Sequence, residues 1–102
     1  NAYLYFAVVK IDKNIRYKIG ITSKSIKQRL SKEFTNFKVI KNIKSSLYQC
    51  YLIERKLLDI FSEYRDLSVK SDKLDGYKEI FDFPDNIVTQ IQYILDKNFK
   101  NL

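Results

Sequence analysis

A stretch of fifteen residues near the N-terminus combines the side chains that a phosphate-binding site uses. Residues 16–30 read RYKIGITSKSIKQRL: a strand-like alternation reaches Gly20, hydroxyl side chains follow, and five Lys or Arg side chains are interspersed. A strand that ends at a glycine and turns into a cationic helix presents backbone amides and positive charge together. A strand with a purely structural role has no need of that combination. The pattern therefore predicts a site that binds phosphate.

The overall charge favours nucleic acid as the partner of this site. The 102 residues include 19 Lys and Arg against 12 Asp and Glu, which gives a net charge of +7 and a pI near 9.5. In a small domain this balance indicates an anionic partner, most commonly nucleic acid. The alternative is a charged surface that only keeps the domain soluble. The candidate contacts to nucleic acid are Lys18, Thr22, Lys24, Lys27 and Arg29.

The residues that the chain lacks exclude several kinds of chemistry. There is no histidine, which excludes Ser-His-Asp and Cys-His catalysis and every His-ligated metal site. The single cysteine, Cys50, excludes an internal disulfide and a cysteine zinc cluster. Any general base must be Tyr, Lys, Asp, Glu or a metal-bound water. No apolar run approaches the ~20 residues of a membrane span and no signal peptide is visible. We therefore expect no membrane partner and an intracellular protein, in the cytoplasm of a bacterium or of a phage or virus host.

A carboxylate on an apolar helix face gives a second chemical signal. The predicted long helix has a buried stripe formed by Cys50, Tyr51, Leu57, Leu58 and Phe61. Glu54 lies on this stripe, and the positions three and four residues away on either side carry no Lys or Arg. Such a carboxylate must be neutralised, pair with a distant cation such as Arg29, reach the edge of the stripe or bind a metal. A single carboxylate ligand suits Mg²⁺ or Mn²⁺.

The elements that would position these residues form a small α+β domain. Apolar and alternating stretches predict strands at 3–11, 16–21 and 37–43, with a turn at 12–14 and a short extended segment at 78–83. Helical spacing predicts a helix carrying Ile26, Leu30 and Phe34 after a cap at Thr22, Ser23 or Ser25, a helix at 47–64 capped by Ser45 or Ser46, and a helix from Pro84 with Ile87, Ile91, Leu95 and Phe99 facing inward. Residues 66–76 are predicted to be the least ordered loop. The order β-β-α-β-α-(β)-α implies an antiparallel sheet of about three strands with flanking helices.

The chain is expected to hold one domain. Its length suits a single core. We interpret residues 1–2 as a cloning remnant and residues 3–102 as one domain excised from a longer protein.

The ordered set of motifs resembles the GIY-YIG endonuclease superfamily. The motifs are Tyr3-Leu4-Tyr5, the run YKIGIT at 17–22, Arg29-Leu30, Glu54 and Glu79-Ile80-Phe81. They are most similar to the branch associated with phages and viruses, whose second motif reads Y-K-I-G-x-T, and the resemblance spans residues 3 to about 95. It implies a GIY-YIG-like fold and an endonuclease that hydrolyses DNA, most simply double-stranded DNA, with one Mg²⁺ or Mn²⁺ ion.

The resemblance also implies roles for individual residues. Tyr5 matches the first-motif tyrosine, and Lys18 occupies the place of the second, with Tyr17 one step earlier. Arg29 matches the arginine that neutralises the phosphate, and Glu54 matches the metal-binding carboxylate. The water would be activated by Tyr5 or by a deprotonated Lys18, with Tyr17 or a metal-bound hydroxide as the remaining bases.

Three departures from the family pattern keep other interpretations open. Tyr3 replaces the first-motif glycine, Glu33 replaces a histidine, and no asparagine follows Glu54 within about a dozen residues. Arg29 and Glu33 could form a helix ion pair, Tyr3 and Tyr5 could be ordinary strand aromatics, and Lys18 a solvated lysine. Glu79 is expected on an edge strand without a chemical role. The rival functions are a catalytically impaired nucleic-acid-binding module and a protein-interaction domain.

Overall fold

Across the residues that the structure describes, an antiparallel sheet and three helices form the fold, as the sequence predicts. The computed structural model describes residues 1–68 and 79–99 of the chain, with side chains up to residue 97. The strands lie in the order β3-β1-β2-β4. Their bounds are β1 Ala2–Ile11, β2 Asn14–Thr22, β3 Phe37–Ser45 and β4 Ile80–Phe81. The expected α+β class is confirmed, and the short extended segment predicted at 78–83 supplies a fourth strand, with Lys78 outside the described residues.

The apolar first strand is central because its side chains are buried on both sides of the sheet. It pairs with β2 through a tight hairpin, in which Asp12 takes a left-handed backbone conformation with φ of 56°. Aspartate tolerates that conformation better than most residues do. On its other side β1 pairs with β3, and the register shifts between Phe6 and Ala7. Every motif on β1 and β2 is therefore held by a long ladder of hydrogen bonds.

The helices begin within one residue of where the sequence predicts, and α1 and α2 end earlier than predicted. They are α1 Ile26–Ser31, α2 Leu47–Ile60 and α3 Asp85–Phe99. Ser25 and Ser46 cap α1 and α2, each accepting a hydrogen bond from the backbone three residues on. The prediction that α1 extends to Phe34 is wrong, although Phe34 is buried. The prediction that α2 reaches Tyr64 is also wrong, because Ser62–Tyr64 tightens into a 3-10 turn.

The two faces of the sheet are covered differently. The α2–α3 face is packed under α2 and α3, with a core formed by Ala2, Leu4, Phe6, Ile19, Cys50, Leu57, Phe61, Phe81, Phe83, Ile87, Ile91 and Leu95. The α1 face lies under the short helix α1, with a smaller cluster of Tyr5, Ala7, Val9, Leu30, Phe34 and Ile80. Strand residues alternate between the two faces, so neighbours on β2 such as Tyr17 and Lys18 point in opposite directions.

Two details of the predicted packing differ in the structure. Tyr51 is half exposed and does not belong to the buried stripe of α2, because it lies about 100° around the helix from Cys50. The loop predicted at 66–76 is fixed at its start, where Asp66 Oδ2 accepts from Arg16 Nε at 2.7 Å and the Asp66 amide donates to Ile80. Residues 69–78 lie outside the described residues, as does the side chain of Phe99. No helix in the described part of the chain is long and apolar enough to cross a membrane.

Candidate functional site

The glycine of the YKIG run makes room for Tyr5. The register places Gly20 directly opposite Tyr5 on the α1 face, and the tyrosine ring lies across the glycine. A Cβ atom at position 20 would lie 2.5 Å from Tyr5 Oη and 2.6 Å from Tyr5 Cζ. Only glycine leaves that space free. This contact explains why the strand carries a glycine here.

Lys18 is the buried charge of the site. Its side chain is 0% exposed, and Nζ lies 2.8 Å from Oε2 of Glu33, two residues after the end of α1. The ammonium also lies 6.0 Å from the ring centroid of Tyr5 and 5.8 Å from that of Phe34. A buried ammonium is tolerated only when it is paired, and here the carboxylate and the two rings surround it. The interpretation of Lys18 as a solvated strand lysine is therefore wrong.

Arg29 shares the same carboxylate from the other side. Its Nε lies 3.6 Å from Oε1 of Glu33, one helical turn away. This distance allows charge attraction but is too long for a hydrogen bond. The Nε atom is buried and has no hydrogen-bond partner in the described parts of the chain. A buried guanidinium donor without a partner is suited to an anionic oxygen supplied by a ligand.

The remaining carboxylates, Glu54 and Glu79, have unusual electrostatics. Burial raises the pKa of Glu54, while the charges of Lys18 and Arg55 oppose the rise. The pKa of Glu79 is raised to about 7, chiefly by burial and also by the negative charge of Glu54. Lys18 and Arg29 lower the pKa of Glu79. These mutual effects tie Glu79, immediately before β4, and Glu54, on α2, to the charges of the α1 face.

The phenol of Tyr5 lies in the same field. Burial is the largest cause that raises its pKa above the usual range, and the charge of Glu79 acts in the same direction. Arg29 lowers the pKa of Tyr5 through its charge and a side-chain hydrogen bond. The effect of burial on the pKa of Tyr5 outweighs that of Arg29, so the protein alone favours the neutral phenol over the phenolate.

The structure brings some of the predicted site residues together and separates others. Tyr5, Lys18 and Arg29 meet around Glu33, and Glu54 is coupled by charge to Lys18; whether Glu54 opens onto the same cleft stays a prediction. Tyr17 lies on the α2–α3 face, where its ring stacks on Phe6 at 5.8 Å between centroids. The predicted nucleic-acid contacts outside this group lie at or near the surface: Lys24 and Lys27 are exposed, and half-buried Thr22 accepts a hydrogen bond from the Lys24 amide.

Sequence reasoning missed two participants, Glu33 and Glu79. The sequence predicts Glu33 only as a helix ion-pair partner of Arg29, yet its side chain is 7% exposed and its shortest ion pair is with Lys18. The strand alternation held the signal, because it turns Lys18 towards the same face as Gly20 and hence towards the end of α1. The burial of Glu79 depends on distant elements, and no local pattern in the sequence indicates it.

The carboxylates are compatible with a single divalent ion. Within the described ranges, no group of three or more His, Cys, Asp or Glu side chains is arranged to hold a metal. Mg²⁺ keeps several waters and commonly binds through one or two carboxylates together with substrate phosphate, so a larger cluster is not required. The raised pKa of Glu54 and its repulsion of Glu79 are the conditions that a cation would relieve. Glu54 and Glu79 therefore fit a site for one divalent ion.

A comparison with protein-family models identifies the family of the chain. The model of the T5orf172 domain matches residues 2–97, so the chain belongs to the T5orf172 domain family. This is a phage-associated domain related to nuclease-type modules of the GIY-YIG and HNH-like kinds, and membership indicates a nuclease-like or DNA-binding module. No curated protein and no solved structure is significantly similar to the chain.

Proposed function

We propose that this T5orf172 domain is a metal-dependent endonuclease domain that hydrolyses phosphodiester bonds in DNA. The observation that carries the proposal is the buried ion pair of Lys18 and Glu33 beside Tyr5 and Gly20. Burying charges contributes little to stability, because desolvation offsets the attraction, and apolar residues would fill the same space at least as well. Buried and mutually perturbed charges cluster at functional sites. The family is one of nuclease-like and DNA-binding modules, which supports the same reaction class.

Arg29 would bind the scissile phosphate. Its buried Nε has no hydrogen-bond partner among the described residues, and a phosphate oxygen is the kind of acceptor that a guanidinium binds well. Glu33 holds the guanidinium from one side through charge attraction. Lys18 adds a second positive charge below the same carboxylate. Fixed cations of this kind stabilise the charge that develops on the phosphate in the transition state.

Glu54 would hold the divalent ion, with Glu79 as the second carboxylate in its field. When bound, Mg²⁺ or Mn²⁺ supplies positive charge at the phosphate and lowers the pKa of water. The protein side of this arrangement is a partly desolvated carboxylate whose pKa is already raised by burial. It therefore interacts more strongly with a cation than an exposed glutamate does.

Two groups can take the proton of the attacking water. The resemblance favours Tyr5, and the charge of Arg29 favours its phenolate, although burial opposes ionisation. Glu79 is the alternative acceptor, because its pKa of about 7 matches the pH at which general bases act best. Lys18 would have to give up its ion pair with Glu33 to act in this way. Lys24 and Lys27, exposed beside Thr22, would bind the flanking phosphates.

One observation favours a second function, a nucleic-acid-binding module without turnover. The ammonium of Lys18 is neutralised by Glu33, and burial holds Tyr5 in its neutral form, so neither of the two expected bases is ready to act. The exposed lysines of the surface would still bind DNA. Cleavage separates this function from the first.

The deciding experiment is cleavage of supercoiled plasmid by the wild-type protein with Mn²⁺ and with chelator. We expect nicking with Mn²⁺ and none with chelator. Glu54→Gln should abolish nicking and keep DNA affinity, which fluorescence anisotropy measures separately. Asp59→Asn is the matched control, since Asp59 is an exposed acid on the same helix. Equal nicking by wild-type protein and Glu54→Gln would refute the role of Glu54, and DNA binding without any nicking would establish the second function.

A further inference from the structure

Helix α1 leaves one end of its sheet face open. The strand register places Thr22 and Lys44 on either side of Tyr3, in one row across the sheet. The next row holds Gly20, Tyr5 and Asn42 in the same way. Alternation along β1 puts both rows on the α1 face, about 7 Å apart.

The exposed fractions of the side chains on the α1 face show where coverage by α1 ends. Tyr5, Ala7 and Val9 are buried with Leu30 and Phe34, so α1 covers the sheet from the row of Tyr5 onward. In the outer row Tyr3 and Thr22 are half buried and Lys44 is exposed. The outer row is therefore a solvent-facing shelf that begins one row away from the Tyr5 hydroxyl.

The positive charge of this shelf is not neutralised by any carboxylate among the described residues. The Lys44 ammonium lies 6.0 Å from the ring centroid of Tyr3 and has no carboxylate within ion-pair distance in the part of the chain that the structure describes. Lys41, on the same strand but the other face, is instead paired with Asp96 of α3. A free cation held over an aromatic ring beside the candidate site complements a polyanion.

We propose that Tyr3 and Lys44 form a contact for the DNA backbone that guides the strand across the open end of the α1 face to Tyr5. Lys44 binds a phosphate, and Tyr3 is the positioning residue that holds the ammonium over the sheet. Thr22 and Asn42 border this path with polar side chains. The inference deepens the proposed function, because it adds a substrate contact to the same site. It also gives a role to Tyr3, the residue that departs from the glycine of the first motif.

The test measures binding alone, with metal left out, by anisotropy of a labelled DNA duplex over a range of salt concentrations. Lys44→Gln should weaken binding about fivefold at physiological salt and reduce the slope of log affinity against log salt by about one unit, as the loss of one phosphate contact does. Lys38→Gln is the matched control: Lys38 is an exposed lysine of the same strand, paired with Val8 and hence on the opposite face. It should change the slope little.

Tyr3→Val tests the positioning role, since valine suits a strand and lacks the phenol ring. We expect it to lower affinity in the wild-type background and to have no further effect in Lys44→Gln. Additive losses would overturn the role of Tyr3, and equal losses in Lys44→Gln and Lys38→Gln would overturn the contact. Plasmid nicking reports on the proposed function independently. If the wild-type protein nicks DNA but Lys44→Gln loses no more affinity than Lys38→Gln, only the inference is refuted. If Lys44→Gln selectively loses affinity but the wild-type protein does not nick, only the catalysis is refuted.

Discussion

The two faces of the sheet are formed by the same strands, but they bury different kinds of side chain. The α2–α3 face is covered by helices of 14 and 15 residues and is filled with aliphatic and aromatic side chains. The α1 face is covered by a helix of six residues and buries the ammonium of Lys18. On this face Gly20 leaves space for the hydroxyl of Tyr5. The first face buries apolar area, which stabilises the fold, while the second keeps charges that stability alone does not need. The comparison predicts that substitutions on the two faces separate stability from activity.

The largest effect is expected at the centre of the α2–α3 face. Phe83 is buried and packs against the rings of Phe6, Tyr17, Phe61, Tyr64 and Phe81. Phe83→Ala should lower the free energy of unfolding by about 3–5 kcal/mol, as the loss of a buried aromatic side chain does. Urea denaturation measures this, with exposed Tyr93→Ala as the control. Below the unfolding transition, nicking by Phe83→Ala should persist, and inactivity of a fully folded variant would break the comparison.

The next effect comes from the half-buried acid Glu79. Its pKa is about 7 in the folded protein against 4.5 as the ordinary value, so the folded state holds the proton more tightly. Ionisation therefore destabilises the fold as pH rises from 4.5 to 7, and the loss is complete above 7. Relative to wild type, metal-free Glu79→Gln should gain up to about 3 kcal/mol over this window. Urea denaturation at several pH values checks it, and a constant difference between the two proteins would contradict the burial of Glu79.

Two tyrosines on opposite faces give a direct comparison of activity. Tyr5→Phe removes only a hydroxyl from the α1 face and should slow nicking by about 100-fold or more, with DNA affinity kept. Tyr17→Phe makes the same change on the α2–α3 face and should leave the rate unchanged. Single-turnover nicking rates measure both. A slow Tyr17→Phe and a fast Tyr5→Phe would reverse the assignment of the faces, and a fast Tyr5→Phe with a slow Glu79→Gln would move the proton acceptor to Glu79.

The smallest effect sharpens the account of the glycine. In Gly20→Ala the new methyl group would overlap the Tyr5 hydroxyl, so the ring must move. Overpacking of this kind lowers stability by about 1–3 kcal/mol. In the Tyr5→Leu background, where the phenol no longer fills the space, Gly20→Ala should lower the free energy of unfolding much less. Equal destabilisation by Gly20→Ala in both backgrounds would show that Tyr5 does not require the glycine.

Local patterns in the sequence predict most of the fold. The apolar run of β1, the turn at Asp12 and the serines that cap α1 and α2 are short-range signals, and each appears where expected. The ends of the helices could not be predicted in the same way. Phe34 continues the spacing of α1, but the chain leaves the helix after Ser31 and buries Phe34 from outside it. Tertiary packing decides such boundaries.

Three members of the candidate site are predictable from the sequence, but their common partner and their contacts are not. Tyr5, Lys18 and Arg29 follow from motif and alternation, and the structure brings them together. Their common partner Glu33 could not be chosen over solvent from the sequence, because the ion pair with Lys18 joins β2 to the end of α1. The exposure of Tyr51 likewise depends on how α2 is rotated against the sheet.

The most direct test of the central claim replaces the buried ion pair of the α1 face by apolar residues of similar size. The double variant Lys18→Met/Glu33→Leu removes both charges at once, so no unpaired charge remains buried between them. Urea denaturation and plasmid nicking with Mn²⁺ are measured on the same preparation. We predict a free energy of unfolding that is unchanged or raised by about 1–4 kcal/mol, together with loss of nicking. A variant that is several kcal/mol less stable and still nicks at the wild-type rate would contradict the claim that these charges serve the reaction.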